Sequence, residues 1–176
     1  MEPVVLVTYA TRSGSTEELA LVVAEVLRER QLAVETQPVG SVHDVEQYFA
    51  VVLAAPLYMF RLHKDARRFL SAHRGPLMKV PVALFVPGPV QKDEKDWIGA
   101  RQQLDKELAK FPWLSPIARH IVGGKFDPAK LSFPFNLIPA LSKMPASDVR
   151  DWPAIRSLAG ELATTMQGVE QRPTAR

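Results

Sequence analysis

Val4-Val5-Leu6-Val7-Thr8-Tyr9-Ala10-Thr11-Arg12-Ser13-Gly14-Ser15-Thr16 is the stretch that decides the fold. Its first half is an apolar, β-branched run with little polar alternation. That suits a strand covered on both faces, as in a parallel sheet. Its second half is a turn rich in hydroxyls, with Gly14 to let the backbone bend tightly. Ser15 and Glu18 have the Ser-x-x-Glu spacing of a capping box. Leu19, Val22, Val23, Val26 and Leu27 then repeat at helical spacing. The pattern predicts a buried strand, a tight turn and an amphipathic helix.

Such a turn has the chemistry to bind an anion. The first amides of a helix lack intrahelical partners, and the helix dipole places partial positive charge there. A phosphate can accept from those amides while hydroxyls donate around it. Arg12 is the one cation in the turn, so the pattern favours a phosphomonoester held mainly by neutral donors. A capped turn that binds nothing is the alternative reading.

Working outward, strands are predicted at 32–39, 47–55, 81–86 and 117–122, and helices at 64–72, 94–110 and 152–167. Ala66, Phe69 and Leu70 point inward from the helix at 64–72. Asp151 is the N-cap of the last helix, whose buried stripe is Ile155, Leu158, Ala159, Leu162, Ala163 and Met166. Strands alternating with helices predict an α/β fold with a parallel, doubly wound sheet. Ligands of such sheets bind beyond the carboxyl ends of the strands. The loops there are 11–16, 56–61, 87–92 and 123–127. Residues 125–145 are apolar but broken by Pro128, Pro134, Pro139 and Pro145, so no long helix forms there. One domain is expected over 1–168, with a disordered tail over 169–176.

Composition narrows the function. The 176 residues carry a net charge of only +3, too mild to argue nucleic acid. They include no cysteine, which excludes disulfides, iron–sulfur clusters and thiol nucleophiles within this chain. Redox chemistry would need a bound cofactor. No basic leader precedes the first strand and no apolar run approaches a membrane span, so the expected location is the cytoplasm. The four histidines show no metal-ligand spacing. His63 sits at a loop-to-helix junction, as a polar cap or a proton donor, and His120 lies in a strand. Gly-x-Gly-x-x-Gly and Gly-x4-Gly-Lys-Ser/Thr are both missing after the first strand, against dinucleotide and nucleoside-triphosphate sites. From Arg61 to Lys79, six Lys or Arg residues face one acid, Asp65. That is either a solvated helix face or a dock for an anionic substrate or membrane surface.

The loop after the third strand, Pro56-Leu57-Tyr58-Met59, puts apolar and aromatic groups where a flat ring would lie. Thr-x-Ser-Gly-Ser-Thr over Thr11–Thr16 resembles the phosphate loop of flavodoxins. Four stretches extend the resemblance to the menaquinone-dependent protoporphyrinogen oxidase family, a flavodoxin-fold group. They are Tyr9–Thr16, then Ala55-Pro56-Leu57-Tyr58 followed by His63, then Ile121–Phe126, and Asp151-Trp152. Similarity covers most of residues 3–166.

The resemblance implies a three-layer sandwich around a five-stranded parallel sheet of order 2-1-3-4-5, with an insert near 125–145. It implies non-covalent FMN, and oxidation of protoporphyrinogen IX with a quinone as acceptor, a step of heme biosynthesis. On that reading Thr11, Ser13, Gly14, Ser15 and Thr16, with Arg12, surround the phosphate. Pro56, Leu57, Tyr58 and Met59 line the ring, and Pro87, Gly88 and Pro89 form its other edge. No protein side chain is assigned as catalytic, because the flavin ring itself is the catalyst. The insert forms a lid, a substrate wall or a homodimer surface, and the chain as a whole is open to a peripheral contact on the inner face of the membrane. A one-electron carrier, or a scaffold that has lost FMN and acts by binding, are the competing functions. The apolar insert and weakly basic balance favour the enzyme.

Overall fold

In the computed structural model, which describes residues 2–170, strand β1 (Val4–Tyr9) lies between two parallel neighbours. These are β2 (Ala33–Pro38) and β3 (Ala50–Ala54), in the registers Val4↔Ala33 and Val5↔Ala50. Two-residue strands β4 (Leu57–Tyr58) and β5 (Arg61–Leu62) form a separate antiparallel hairpin. Strands β6 (Val82–Pro87) and β7 (Ala118–Val122) complete the main sheet, whose order is β2-β1-β3-β6-β7. Counting main-sheet strands only, this is the expected 2-1-3-4-5 order.

Period-two alternation divides the core between the two faces of the sheet. Val5, Val7 and Tyr9 point to one side and pack with α1 (Ser15–Glu29) and α6 (Trp152–Glu170). Leu6 and Ala10 point to the other. There they meet α2 (Lys64–Ala72), where Ala66, Phe69 and Leu70 are buried as the spacing predicts. The short helix α3 (Arg74–Leu77) follows α2. Leu104 of α4 (Glu94–Leu108) joins the same side. Each fully buried Leu, Val or Phe stabilises the fold by roughly 1.5–3 kcal/mol. The all-apolar runs in β3 and β6 follow from burial on both faces.

The capping box expected at Ser15 and Glu18 does not form. Gly14 is the N-cap, with φ of 90°, and no side chain caps the helix. Ser15 is therefore already helical, and the Glu18 carboxylate reaches Arg150 instead. The third strand begins later than predicted because Tyr48 turns back onto the Val45 carbonyl (3.1 Å). The last helix runs on through Glu170. The tail expectation over 171–176 lies outside the described residues.

The proline-broken segment leaves and rejoins the fold through one short ladder. Strand β8 (Lys125–Phe126) pairs antiparallel with β9 (Ser147–Asp148). Between them run 3-10 turns at Pro128–Lys130 and Phe135–Leu137 and the short helix α5 (Pro139–Ser142). Gly123, just before β8, lets the returning backbone pass. A Cβ built there would lie 2.0 Å from the Val149 carbonyl oxygen. Asp151 then caps α6, accepting from the Ala154 amide at 3.0 Å.

Glu107 of α4 is 1% exposed. It accepts from the Leu62 amide of the β4–β5 hairpin (3.1 Å) and pairs with Lys110. Replacing Glu107 by Ala leaves that amide buried without an acceptor, which costs about 1–3 kcal/mol. Urea unfolding should show a lower midpoint with unchanged slope. Gly123→Ala should be destabilising too, because the clash is with backbone rather than with a movable side chain. Limited proteolysis should then cut within 125–147 faster than in the parent chain.

Candidate functional site

The site is built at the carboxyl end of β1, where the chain changes from strand to helix. The Gly14 amide donates to Thr11 Oγ1 at 2.9 Å, which closes the turn on itself. Only glycine adopts this left-handed conformation without strain. The Glu18 amide makes the first helical bond, to the Gly14 carbonyl (3.1 Å). The amides of Ser15, Thr16 and Glu17 precede it and have no intrahelical partner. They, with the Ser13, Ser15 and Thr16 hydroxyls, form a neutral donor set at the positive end of α1.

Two acids stand in the first turn of that helix, and both are engaged. Tyr9 donates its hydroxyl to Glu17 Oε1 at 2.9 Å. Burial, then the Glu17 carboxylate, raises the Tyr9 pKa, so the hydroxyl keeps its proton. Arg150 binds Glu18 at 2.5 Å and Asp148 at 2.7 Å and is itself 5% exposed. Its hydrogen bond holds the Glu18 carboxyl below its usual pKa, against a smaller opposing effect of burial. Arg150 also stacks over Trp152 at 4.6 Å. The segment that closes the insert is thus tied to the first turn of α1.

A cavity of about 280 Å³ opens beside these amides. Arg12, Ser13, Ser15 and Thr16 line it from the first loop, and Pro56, Leu57, Tyr58 and Met59 from the second. Pro87 and Gly88 complete the wall at the end of β6. Three expected residues stand behind this surface. Thr11 accepts the Gly14 amide, Gly14 makes the turn, and Pro89 accepts from the Gly124 amide at 2.7 Å. That last bond joins the third loop to the fourth.

The fourth loop and the insert supply the rest of the wall: Gly124, Lys125 and Phe126, then Lys130, Leu131 and Leu141. The individual insert residues were not assigned from sequence. Their prolines break any period that would tell an inward from an outward face. Phe135 of the insert packs edge-on against Tyr58, with ring centroids 5.4 Å apart. The Arg12 guanidinium stacks on both, 4.7 Å from Tyr58 and 4.8 Å from Phe135. One cation–π cluster therefore joins the first loop, the second loop and the insert.

Met59 and Phe60 form the tip of the β4–β5 hairpin with φ of 47° and 64°. Two-residue hairpins usually place Asn or Gly there. Holding two large apolar residues left-handed is strained, at about 1–3 kcal/mol each. His63 caps α2, its Nδ1 accepting the Asp65 amide at 3.2 Å. Burial lowers its pKa, so the neutral ring is the acceptor. His120 packs on Phe85, 4.9 Å between ring centres. Among the described residues no group of three His, Asp or Glu could hold a metal ion, and no helix is long and apolar enough to cross a membrane.

Comparison with known proteins agrees with this fold. The chain is 26% identical over 172 residues to the protoporphyrinogen IX dehydrogenase (quinone) of Escherichia coli K12, covering 90% of this chain and 93% of that protein. Among solved structures, flavodoxin 1 of Bacillus cereus superposes with a TM-score of 0.56 at 16% identity, over 98% of this chain and 100% of that one. Rubredoxin oxygen:oxidoreductase of Desulfovibrio gigas gives a TM-score of 0.61 at 16% identity, over 97% of this chain but only 38% of that longer one. At these identities the structural likeness is one of fold. The flavodoxin domain family matches residues 6–138, and the chain belongs to that family.

Proposed function

We propose that this protein is an FMN-dependent oxidoreductase that takes electrons from an organic substrate and passes them to a quinone, with protoporphyrinogen IX as the candidate substrate. The observation that carries the reading is the composition of one cavity. A neutral donor set at a helix N-terminus adjoins an apolar, aromatic shelf, and an insert walls the remaining side. FMN is the cofactor expected of the flavodoxin family, and the donor chemistry here fits it. A phosphate monoester suits the Ser13, Ser15 and Thr16 hydroxyls and the free amides of α1. A flat ring suits the apolar shelf that Leu57, Tyr58, Pro87 and Gly88 contribute to the cavity. The bound flavin would supply reversible acceptance of electrons, chemistry that no side chain of this chain provides.

The protein's own part is binding, positioning and exclusion of water. With Tyr9 holding Glu17 and Arg150 holding Glu18, the first-turn acids repel an incoming phosphate less. Arg12 adds positive charge at the rim, fixed by Tyr58 and Phe135. Leu131, Leu141 and Met144 keep the insert side apolar, as suits a hydrophobic substrate or a quinone. The identity to the Escherichia coli enzyme over nearly its whole length supports the choice of porphyrinogen and quinone.

The decisive experiment is titration of cofactor-stripped protein with FMN, read by flavin fluorescence, followed by anaerobic addition of protoporphyrinogen. Saturable binding and bleaching of the flavin absorbance are expected, with colour restored by a soluble quinone. Saturable binding without bleaching would indicate an electron carrier, and no binding would overturn the redox reading. Thr16→Val should weaken FMN by about 1.5–3 kcal/mol, roughly ten- to a hundredfold in Kd, as for one lost hydrogen bond to a charged group. Unchanged affinity would remove Thr16 from the phosphate site.

A further inference from the structure

Thr16 is 2% exposed and lines the cavity, and among the described residues its hydroxyl makes no hydrogen bond. A hydroxyl so enclosed needs a partner, and the cavity is where one can stand. The same wall holds Lys125, the first residue of β8. Nothing in the first loop or in α1 supplies that cation. It arrives from the far end of the sheet, where the insert begins.

The ladder that closes the insert sets where Lys125 faces. Lys125 lies directly opposite Asp148 in the β8–β9 pair, and opposed residues of an antiparallel pair put their side chains on one face. Asp148 accepts from Arg150 at 2.7 Å, and Arg150 reaches Glu18 at 2.5 Å and the Ser15 carbonyl at 3.5 Å. That face is therefore turned toward the first turn of α1. The charges agree with this placement. The Arg150 hydrogen bond first, and the Lys125 charge after it, hold the Glu18 and Asp148 carboxyls below their usual pKa against the effect of burial.

Two other cations beside the cavity are already engaged. Arg150 is taken by Asp148 and Glu18, and Arg12 lies over Tyr58 and Phe135. Lys130 lies past the ladder, where no strand register fixes it against α1. Lys125 is held by the register, and among the described residues its ammonium is in no ion pair, because Arg150 holds Glu18 and Asp148.

We infer that Lys125 is the cation of the phosphate site, its ammonium meeting the flavin phosphate together with the α1 amides and the Thr16 hydroxyl. This rests on the FMN reading above and adds to it a residue from outside the first loop. A positive charge offsets Glu17 and Glu18 in a way that neutral donors do not. It also couples the cofactor to the insert, since β8 is the strand by which the insert leaves the sheet. The phosphate thus steadies the base of the substrate wall. Riboflavin, the same ring without a phosphate, does not.

Fluorescence titrations with FMN and with riboflavin test the inference, on cofactor-stripped parent chain, Lys125→Met and Lys125→Arg. Methionine keeps the aliphatic stem and removes the charge. In Lys125→Met the FMN Kd should rise about tenfold at low ionic strength, while the riboflavin Kd stays within about twofold. Lys125→Arg should keep most of the parent's affinity for FMN. Saturating FMN should protect residues 125–147 from limited proteolysis better than saturating riboflavin in the parent, and no better in Lys125→Met. The inference is overturned if Lys125→Met leaves the ratio of the two Kd values unchanged. It is overturned equally if both values rise together, which marks a structural role, and equal protection by the two flavins in the parent removes the coupling to the insert. A parent chain that binds neither flavin overturns the FMN reading and this inference with it. A parent that binds FMN, with a ratio the variant does not move, overturns this inference alone.

Discussion

Burial of β1 on both faces is the constraint on which the rest depends. Val5, Leu6 and Val7 are fully buried, and β1 has a hydrogen-bonded neighbour on each side. Such a strand cannot slip by one residue without exchanging its two apolar faces. The Thr11–Thr16 turn therefore emerges at a fixed height above the sheet. The ends of β3 and β6 reach the same level, since Tyr9 pairs with Ala54 and Ala54 with Phe85. Three loops converge because three parallel strands are in register.

A helix N-terminus attracts anions, yet this one carries Glu17 and Glu18 in its first turn. Those acids favour the helix by opposing its dipole and disfavour a phosphate in the same place. Tyr9 and Arg150 ease the conflict. Arg150 is almost fully enclosed and has carboxylates from Asp148 and Glu18 as partners. A buried cation without partners would carry a large desolvation cost. The arrangement also joins distant parts of the chain, since Glu18 opens α1 and Asp148 ends the insert. Gly123 serves the same junction by admitting the Val149 carbonyl.

Opposite that junction, the hairpin and the insert are held by different means. The hairpin has a two-residue ladder and a strained tip, and its Leu62 amide is anchored by a buried carboxylate from α4. Between β8 and β9 the insert has only two short 3-10 turns and the four-residue helix α5. Its contact with the rest of the site includes the Phe135, Arg12 and Tyr58 stack. Both elements leave aromatic groups in solvent. That exposure sets them apart from the large side chains of the two cores, which are enclosed.

The sequence by itself determined the layers. β-Branched runs covered on both faces marked the inner strands, and i, i+3, i+4 spacing marked the helices. Alternation of the two made the sheet parallel, and the Thr-x-Ser-Gly-Ser-Thr turn marked where the first strand gives way to a helix at its edge. These are local signals, carried by period and by the conformational freedom of one glycine. Only the tertiary structure decided which groups meet there. Ser15 became the first helical residue rather than a cap, because Gly14 turns left-handed before it. Glu107 looked like one more acid of a polar helix, yet it is buried beneath the second loop. Phe135 reached Arg12 across more than a hundred residues of chain. Such pairings depend on where a proline-broken segment folds back, and no short-range period encodes that path.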